Sequence, residues 1–258
     1  MNNSTRLAGL LLCFTLLFTY VIQYPIYANS KDIIDTSTSS DGYYIINYSD
    51  SNPVKMKVAV SYDDIITYYD YTANEVSIYA FTKGNGIYTI TLYRNVKGTS
   101  YKRIETEKVN VKLKSSLAPY LISTKEITFS KDDAVSQKAA EICEGLTSIY
   151  SKTTAIHKYV HDNISYNYEL AANVSSGKIT TYAPKAIDVF NSHMGICCDF
   201  ATLFAAMCRS QGIPCRIKKG YYQSIYHAWN EVCIDGFWYK VDTTTSMNKA
   251  ILKKNKQT

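Results

Sequence analysis

The sequence predicts a chain with a β-rich module of the sandwich type followed by a region of helices and strands. Short stretches that alternate apolar with polar residues, separated by turn signals, run from Tyr43 to Leu113, and such spacing is typical of a β-sandwich. Apolar residues with helical periodicity follow as far as Gln211-Gly212. Asp235-Gly236 then lies between two alternating runs, which is a strong signal for a tight hairpin. With 258 residues, 46% of them hydrophobic, the chain is long enough to bury a substantial core.

The first part of the chain has the layout of a secretory signal peptide. Arg6 precedes an apolar run at 7–22, and the small residue Ala28 follows it. We therefore expect residues 1–28 to be a signal peptide that directs the protein to the cell surface or the extracellular medium. An uncleaved membrane anchor is the alternative. The remainder divides into a β-rich module at 29–120 and a second domain at 121–258.

Tyrosine is abundant in the β-rich module. We interpret this abundance as strand propensity combined with half-exposed sheet faces, and a carbohydrate-binding aromatic face is the alternative. No catalytic constellation is visible in this part of the sequence. The predicted strands are DGYYIINY, KMKVAVSY, EVSIYAF, GIYTITLYRN and KVNVKL.

Helical patterns begin after a predicted linker, KSSLAPYLISTKE. Ser130 is the candidate N-cap of the first helix, because acidic residues follow it in the first turn. The next helix lies in SKTTAIHKYVHDNISY, and a polar loop near ANVSSGKIT separates it from a short helix in APKAIDVFNS. The apolar stripe of the second helix consists of Ile156, Tyr159, Val160 and Ile164.

The formal net charge of +6 indicates weak attraction to anionic surfaces, such as a membrane or a cell wall. Aromatic residues are not interleaved with runs of arginine, so we expect no nucleic-acid partner. No C-x-x-C pair and no calcium-binding loop of alternating acidic residues occurs in the sequence. We therefore expect neither a metal nor a cofactor.

His157 and His161 are four residues apart and share a helix face. Such a pair can bind zinc when a glutamate directly follows the first histidine, but Lys158 occupies that position. We interpret the two histidines as part of a solvated helix face. A zinc protein built on this pair is the alternative.

The stretch GICCDFATLFAAMC places a cysteine at the start of a buried helix. Apolar residues recur with helical periodicity beyond Cys197, which predicts that its thiol lies in the first turn. The positive end of the helix dipole and the unpaired N–H groups there stabilise a thiolate. Cys198 points about 100° away around the helix, so we expect it to serve packing or a disulfide.

The hairpin around Asp235-Gly236 supplies a base for this cysteine. If these two residues form the turn, Ile234 faces Phe237, and Trp229 lies opposite Asp242. His227 shares a sheet face with Trp229, so His227 and Asp242 become diagonal neighbours within side-chain reach. A carboxylate in this place can orient an imidazole and stabilise its charged form. A shift of the hairpin register by one residue would place His227 and Asp242 on opposite faces of the sheet.

These segments resemble the transglutaminase-like superfamily, and the resemblance covers roughly Thr147 to Thr245. It implies an α+β fold with a papain-like core, in which the cysteine helix packs on an antiparallel sheet that includes the strand IPCRIKKGYY. A β-rich module ahead of such a core is consistent with secreted bacterial members. Many members have a proline after the aspartate, where this chain has Thr243-Thr244-Thr245. The match falls on Gly195-Ile196-Cys197 with Phe200-Ala201, on His227-Ala228-Trp229 and on Val241-Asp242-Thr243.

The resemblance implies that Cys197, His227 and Asp242 are a catalytic triad, with Cys197 rather than Cys198 as the nucleophile. The expected reaction is acyl transfer from a protein or cell-wall peptide amide through a thioester. The backbone N–H of Cys197 would stabilise the oxyanion, and Tyr166 is a candidate for the second donor. The residues leave open whether the acceptor is water or an amine.

Two further alternatives belong to other functional classes. One is a non-catalytic surface-binding protein with a degenerate transglutaminase-like core. The other is a binding module stapled by disulfides, in which Cys197 pairs in the neighbourhood of Cys198 or with Cys233. The six cysteines beyond the signal peptide permit disulfides without requiring them.

Overall fold

A computed structural model describes residues 32–222, 225–245 and 253–254. It confirms the predicted α+β class: a β-sandwich module precedes helices that pack on an antiparallel sheet. The predicted signal peptide at 1–28 lies outside the described residues. Within the described part of the chain, no helix is both long and apolar enough to cross a membrane.

The N-terminal module consists of two antiparallel sheets. The first has the strand order β1-β2-β5 and the second β4-β3-β6-β7. Strand β4 was not predicted, because most of its side chains are exposed and apolar alternation is weak there. The strands are β1 (Ile34–Asp35), β2 (Tyr43–Asn47), β3 (Met56–Tyr62), β4 (Ile65–Tyr71), β5 (Val76–Ala80), β6 (Gly86–Lys97) and β7 (Ser100–Val111).

The two sheets share one hydrophobic core. Ile46 of the first sheet belongs to the same buried cluster as Val58 and Ile90 of the second. Tyr44 stacks on Tyr79 with ring centroids 5.4 Å apart, and both are buried in this core. Several tyrosines of the module are therefore core residues, in keeping with strand propensity.

The predicted linker packs against both parts of the chain. A 3-10 helix at Ala118–Tyr120 interrupts it, and Tyr120 is largely buried. Ile122 joins a small buried cluster with Ile78 of the sandwich, and the Lys125 N–H donates to the Ile78 carbonyl over 2.9 Å. The segment is therefore packed against the sandwich and hydrogen-bonded to it.

Five α-helices follow the linker in the described part of the chain. The first was expected to begin at Ser130, but Asp133 is its N-cap: the Asp133 carboxylate accepts the Ser136 N–H over 2.7 Å. The other carboxylate oxygen accepts the Ser130 N–H, so Ser130 lies in the preceding turn and cannot cap. The helices are α1 (Ala134–Cys143), α2 (Ile149–Asn163), α3 (Tyr168–Ser175), α4 (Ala186–Ser192) and α5 (Cys197–Ser210).

Helix α3 occupies part of the segment predicted as a polar loop. Asn167 caps it by accepting the Leu170 N–H over 2.9 Å. None of its residues is buried, so it lacks the apolar periodicity by which the sequence reveals the other helices. The predicted helices α2 and α4 and the predicted C-terminal end of α5 are confirmed.

The second domain contains a four-stranded antiparallel sheet and one short parallel pair. Asp235 (φ 51°) and Gly236 (φ 81°) form the turn between the strands β11 (Ile225–Ile234) and β12 (Phe237–Val241). Positive φ at both positions is the signature of the type I′ hairpin, and the predicted register is confirmed because Ile234 pairs with Phe237. The strands are β8 (Ser165–Tyr166) paired with β9 (Met194–Gly195), and β10 (Cys215–Tyr222), β11 (Ile225–Ile234), β12 (Phe237–Val241) and β13 (Lys253–Lys254) in that order.

Helix α5 lies at the centre of the second domain. Its residues Leu203, Phe204 and Met207 are fully buried between the other helices and the sheet. The buried Asn230 of β11 donates to the Ala201 carbonyl over 2.9 Å, close to the helix start. This contact fixes β11 against the N-terminal half of α5.

Arg209, near the end of α5, connects three segments. Its Nε donates to the Cys215 carbonyl of β10 over 2.9 Å, and its Nη1 donates to the Ile122 carbonyl over 2.8 Å. The side chain is almost completely buried, and this burial lowers its pKa to about 10. Arg209 thus joins the linker segment to α5 and to the sheet of the second domain.

Replacing Arg209 by Leu should lower the free energy of unfolding by about 2–4 kcal/mol. Each buried carbonyl left without a donor costs about 1–3 kcal/mol, and removal of a buried charge returns part of this loss. Denaturant unfolding measures the change. Lys112→Leu removes one charge at an exposed position and serves as the control. Equal midpoints for the wild type and both variants would contradict the role given to Arg209.

Candidate active site

Cys197, His227 and Asp242 lie together at the N-terminal end of α5. Cys197 is the first residue of the helix, directly after the N-cap Ile196. Its thiol is hydrogen-bonded to the His227 ring. The Nε2 atom of His227 lies 2.8 Å from Oδ2 of Asp242. The structure therefore brings the three residues into one hydrogen-bonded chain.

The hairpin register explains how the histidine reaches the aspartate. Asn230 pairs with Val241, the last residue of β12, so Asp242 emerges opposite Trp229, as predicted. His227 lies two residues before Trp229 on the same strand. Because Asn230 also bonds to α5, the strand that carries the histidine is fixed against the helix that carries the cysteine.

The charged forms of Cys197 and His227 stabilise each other. The pKa of Cys197 is lowered to about 4 by hydrogen bonds from the Cys198 thiol, from His227 and from the Ala228 N–H, which together outweigh the opposing effect of burial. The pKa of His227 is raised to about 9 by its hydrogen bond to Asp242 and then by that to Cys197. These opposite shifts of the two pKa values favour the thiolate–imidazolium form of the pair.

Cys198, for which the sequence predicts packing or a disulfide, is a free, half-buried thiol that donates a hydrogen bond to Cys197. Donation to Cys197, burial and the nearby charge of Asp199 raise the pKa of Cys198. All six cysteines in the described part of the chain are free thiols.

Thr244 holds the second oxygen of Asp242. Its N–H and its hydroxyl both donate to Oδ1, over 3.2 and 2.7 Å. Burial disfavours the charged carboxylate, but the hydrogen bonds from His227 and Thr244 outweigh it and lower the pKa of Asp242. Sequence reasoning missed Thr244, although an aspartate with a threonine two residues later is a recognisable turn pattern.

Tyr166 lies against the N-terminus of α5. Strand β8 pairs with β9, which places Tyr166 beside Gly195, and the Asn167 N–H donates to the Gly195 carbonyl over 2.8 Å. The phenol oxygen accepts the backbone N–H of Cys197. Burial, followed by the charge of Cys197, raises the pKa of Tyr166, so its hydroxyl keeps its proton. Both predicted oxyanion donors therefore lie at the same place.

Asp199 is a buried carboxylate in the first turn of α5 that the sequence analysis did not single out. It accepts the Ile196 N–H over 2.8 Å, and the Tyr182 hydroxyl contacts its two oxygens at 2.9 and 2.8 Å. Burial raises the pKa of Asp199. A Cβ atom at Gly195 would lie 2.4 Å from the Asp199 Cβ, so only glycine fits there. An acid three residues after an N-cap is the signal that could have revealed it.

The interpretation of His157 and His161 as a solvated helix face is wrong. His157 is only 2% exposed, and its Nε2 lies 3.1 Å from the Asp242 carbonyl. His161 contacts the Thr243 carbonyl. The reason is that the turn after β12 packs on this face of α2. Among the described residues, no group of three or more His, Cys, Asp or Glu side chains could hold a metal ion.

A family model matches the part of the chain that carries this site. The model describes the transglutaminase-like superfamily, and it matches residues 136–243. All three residues of the hydrogen-bonded chain lie within this matched region.

Two curated relatives match part of this chain. The chain is similar to the kyphoscoliosis peptidase of Mus musculus, with 27% identity over 122 residues, and to that of Homo sapiens, with 33% identity over 89 residues. These alignments cover 43% and 30% of this chain. They cover 18% and 13% of the relatives, so the chain spans less than a fifth of the length of the curated relatives it matches.

Solved structures of similar proteins include a proposed cysteine protease from Cytophaga hutchinsonii. That comparison has a TM-score of 0.45 and 19% identity, and covers 82% of this chain and 74% of the other. The periplasmic domain of TgpA from Pseudomonas aeruginosa is also similar, with a TM-score of 0.38 and 14% identity. There the coverage is 78% of this chain and 68% of the other.

Replacing Asp242 by Asn should lower the pKa of His227 by about one to three units, because the ring loses an adjacent negative charge. NMR titration of the His227 ring protons measures the shift. Asp235→Asn makes the same chemical change at the exposed hairpin turn, where asparagine also tolerates positive φ, and should leave the titration unchanged. Identical His227 titrations in the wild type and Asp242→Asn would refute the electrostatic coupling.

Proposed function

We propose that this protein is a thiol-dependent acyl-transfer enzyme that acts on protein or peptide amides through Cys197, His227 and Asp242. The observation that carries the proposal is the continuous hydrogen-bonded chain from the Cys197 thiol to the Asp242 carboxylate at the start of a buried helix. The match of residues 136–243 to the family model of the transglutaminase-like superfamily supports the same assignment.

The first step is attack by the Cys197 thiolate on the amide carbonyl carbon. A C–S bond forms, and the carbonyl π electrons move onto oxygen. The backbone N–H of Cys197 and the Tyr166 hydroxyl are the donors that stabilise this oxyanion, because both lie beside the nucleophile. The incoming oxyanion replaces the hydrogen bond that joins these two groups in the free protein.

The second step is collapse of the tetrahedral intermediate. The C–N bond breaks, and the proton of the His227 imidazolium passes to the leaving amine. A thioester remains on Cys197, and His227 becomes neutral. Asp242 holds the ring in place through its 2.8 Å hydrogen bond during this transfer.

The third step regenerates the enzyme. Neutral His227 accepts a proton from water or from an amine as that group attacks the thioester. The C–S bond breaks, so that the thiolate and imidazolium return. Water as acceptor gives hydrolysis, and an amine such as a lysine side chain gives transamidation.

Protein and cell-wall peptides outside the cytoplasm are the proposed substrates. This assignment is supported by the predicted signal peptide at 1–28 and by the net charge of +6, which favours anionic surfaces. The curated relatives are named as peptidases, which favours a peptide bond as the scissile amide.

An activated ester should acetylate Cys197. Incubation with p-nitrophenyl acetate, followed by rapid acid quench and intact mass measurement, should show one added acetyl group, and peptide mapping should assign it to Cys197. Cys197→Ala should abolish the adduct. Cys233→Ala removes another free thiol and should retain it. Adding an amine to the wild type then shows whether the acyl group passes to water or to the amine.

An acetylated Cys197→Ala variant, or a wild type without any adduct, would refute the proposed nucleophile.

Turnover of amide substrates should show a bell-shaped dependence on pH. The thiolate is present above the Cys197 pKa of about 4, and the imidazolium proton needed by the leaving amine is present below the His227 pKa of about 9. Activity should therefore rise through the first value and fall through the second. Initial rates on dimethylated casein test this profile, and a single rise near the ordinary pKa of a free thiol would contradict it.

A further inference from the structure

We propose that His157 and His161 of α2 are positioning residues for Asp242. They hold the main-chain carbonyls of Asp242 and Thr243, so that the Asp242 carboxylate faces His227. This inference rests on the proposed function, because it assigns two residues that support the same site.

The two histidines contact successive carbonyl groups. Nε2 of His157 lies 3.1 Å from the Asp242 oxygen, and Nδ1 of His161 lies 3.2 Å from the Thr243 oxygen. Their ring centroids are 5.9 Å apart and nearly parallel, at 21°. Two histidines one helical turn apart therefore contact the carbonyl groups of two consecutive residues, Asp242 and Thr243.

Asp242 needs support from outside the sheet. Val241 is the last residue of β12 paired with β11, so the ladder of backbone hydrogen bonds ends one residue before the aspartate. The Asp242 carbonyl accepts from His157 and also from the Thr245 hydroxyl, over 3.1 Å. With Thr244 on Oδ1, the oxygen Oδ2 remains directed at His227.

His157 is suited to a fixed, neutral donor role. Its Nε2–H must donate to the carbonyl, which leaves Nδ1 unprotonated; Nδ1 is buried without a hydrogen-bond partner among the described residues. Burial lowers the pKa of His157, and His161, Asp242 and Asp162 are the charged or titratable groups that face it. Asp162 is ion-paired with Lys158.

A purely structural role explains this histidine poorly. A buried ring nitrogen without a partner lowers stability, and an apolar side chain of similar size would fill the site without that loss. Val160, one turn away on the same helix, shows the apolar solution, because its side chain fills a buried position without any polar atom. The hydrogen bond to Asp242 is what distinguishes histidine at position 157.

Three variants test the inference. His157→Phe keeps a ring but loses the donor, His157→Gln retains an N–H near the Nε2 position, and Val160→Ala weakens the same helix without touching Asp242. The readouts are the pKa of His227 by NMR and the rate of Cys197 acetylation by p-nitrophenyl acetate. In His157→Phe, the His227 pKa should fall toward its ordinary value.

The acetylation rate should fall by roughly tenfold to a hundredfold in His157→Phe, since misplacing a catalytic group by about 1 Å costs up to about a hundredfold. His157→Gln should restore most of both values, and Val160→Ala should reduce stability alone. A folded His157→Phe with unchanged values would overturn the inference, as would an equal loss in Val160→Ala.

His161 provides an independent pair of variants should His157→Phe not fold. Its ring is only half-buried, so His161→Leu should fold. The His227 pKa and the acetylation rate should fall less in His161→Leu than in His157→Phe, and His161→Asn should restore both values. Unchanged values in His161→Leu would then reject the inference. If His227 of the wild type titrates at its ordinary pKa, the proposed function and this inference fail together; if only the variants lack an effect, the inference alone fails.

Discussion

The hydrogen bond between His227 and Asp242 is the interaction on which the rest of the site depends. It spans 2.8 Å and joins β11 to the residue that directly follows β12. The same strand is bound to α5 through Asn230. The hairpin therefore fixes two distances: the distance from the His227 ring to the Asp242 carboxylate, and the distance from the same ring to the Cys197 thiol.

At the start of α5 the pKa is lowered at the thiol of Cys197 and raised at the groups around it. The pKa values of Cys198, Tyr166 and Asp199 are all raised, each with burial among the causes. The thiol of Cys198 and the hydroxyl of Tyr166 therefore keep their protons, while the helix N-terminus and the imidazolium favour the thiolate of Cys197. The site thus separates one ionised cysteine from an adjacent neutral one in the same turn.

The local parts of the site could be predicted from the sequence, whereas the distant contacts could not. The Asp235-Gly236 turn fixes the register of its hairpin, and helical periodicity locates the start of α5, so Cys197, His227 and Asp242 could be named together. The contact of His157 with Asp242 joins residues 85 positions apart. It depends on how α2 packs against a turn, and no periodic pattern encodes such packing.

The pH dependence of alkylation at Cys197, read by peptide mapping in the wild type and in His227→Ala, tests the central claim most directly. The account predicts that wild-type Cys197 reacts at pH values far below the ordinary pKa of a thiol, that this reactivity disappears in His227→Ala, and that Cys198 reacts slowly in both. A Cys197 that reacts only near the ordinary thiol pKa, or equally at low pH in both proteins, would contradict the thiolate–imidazolium pair.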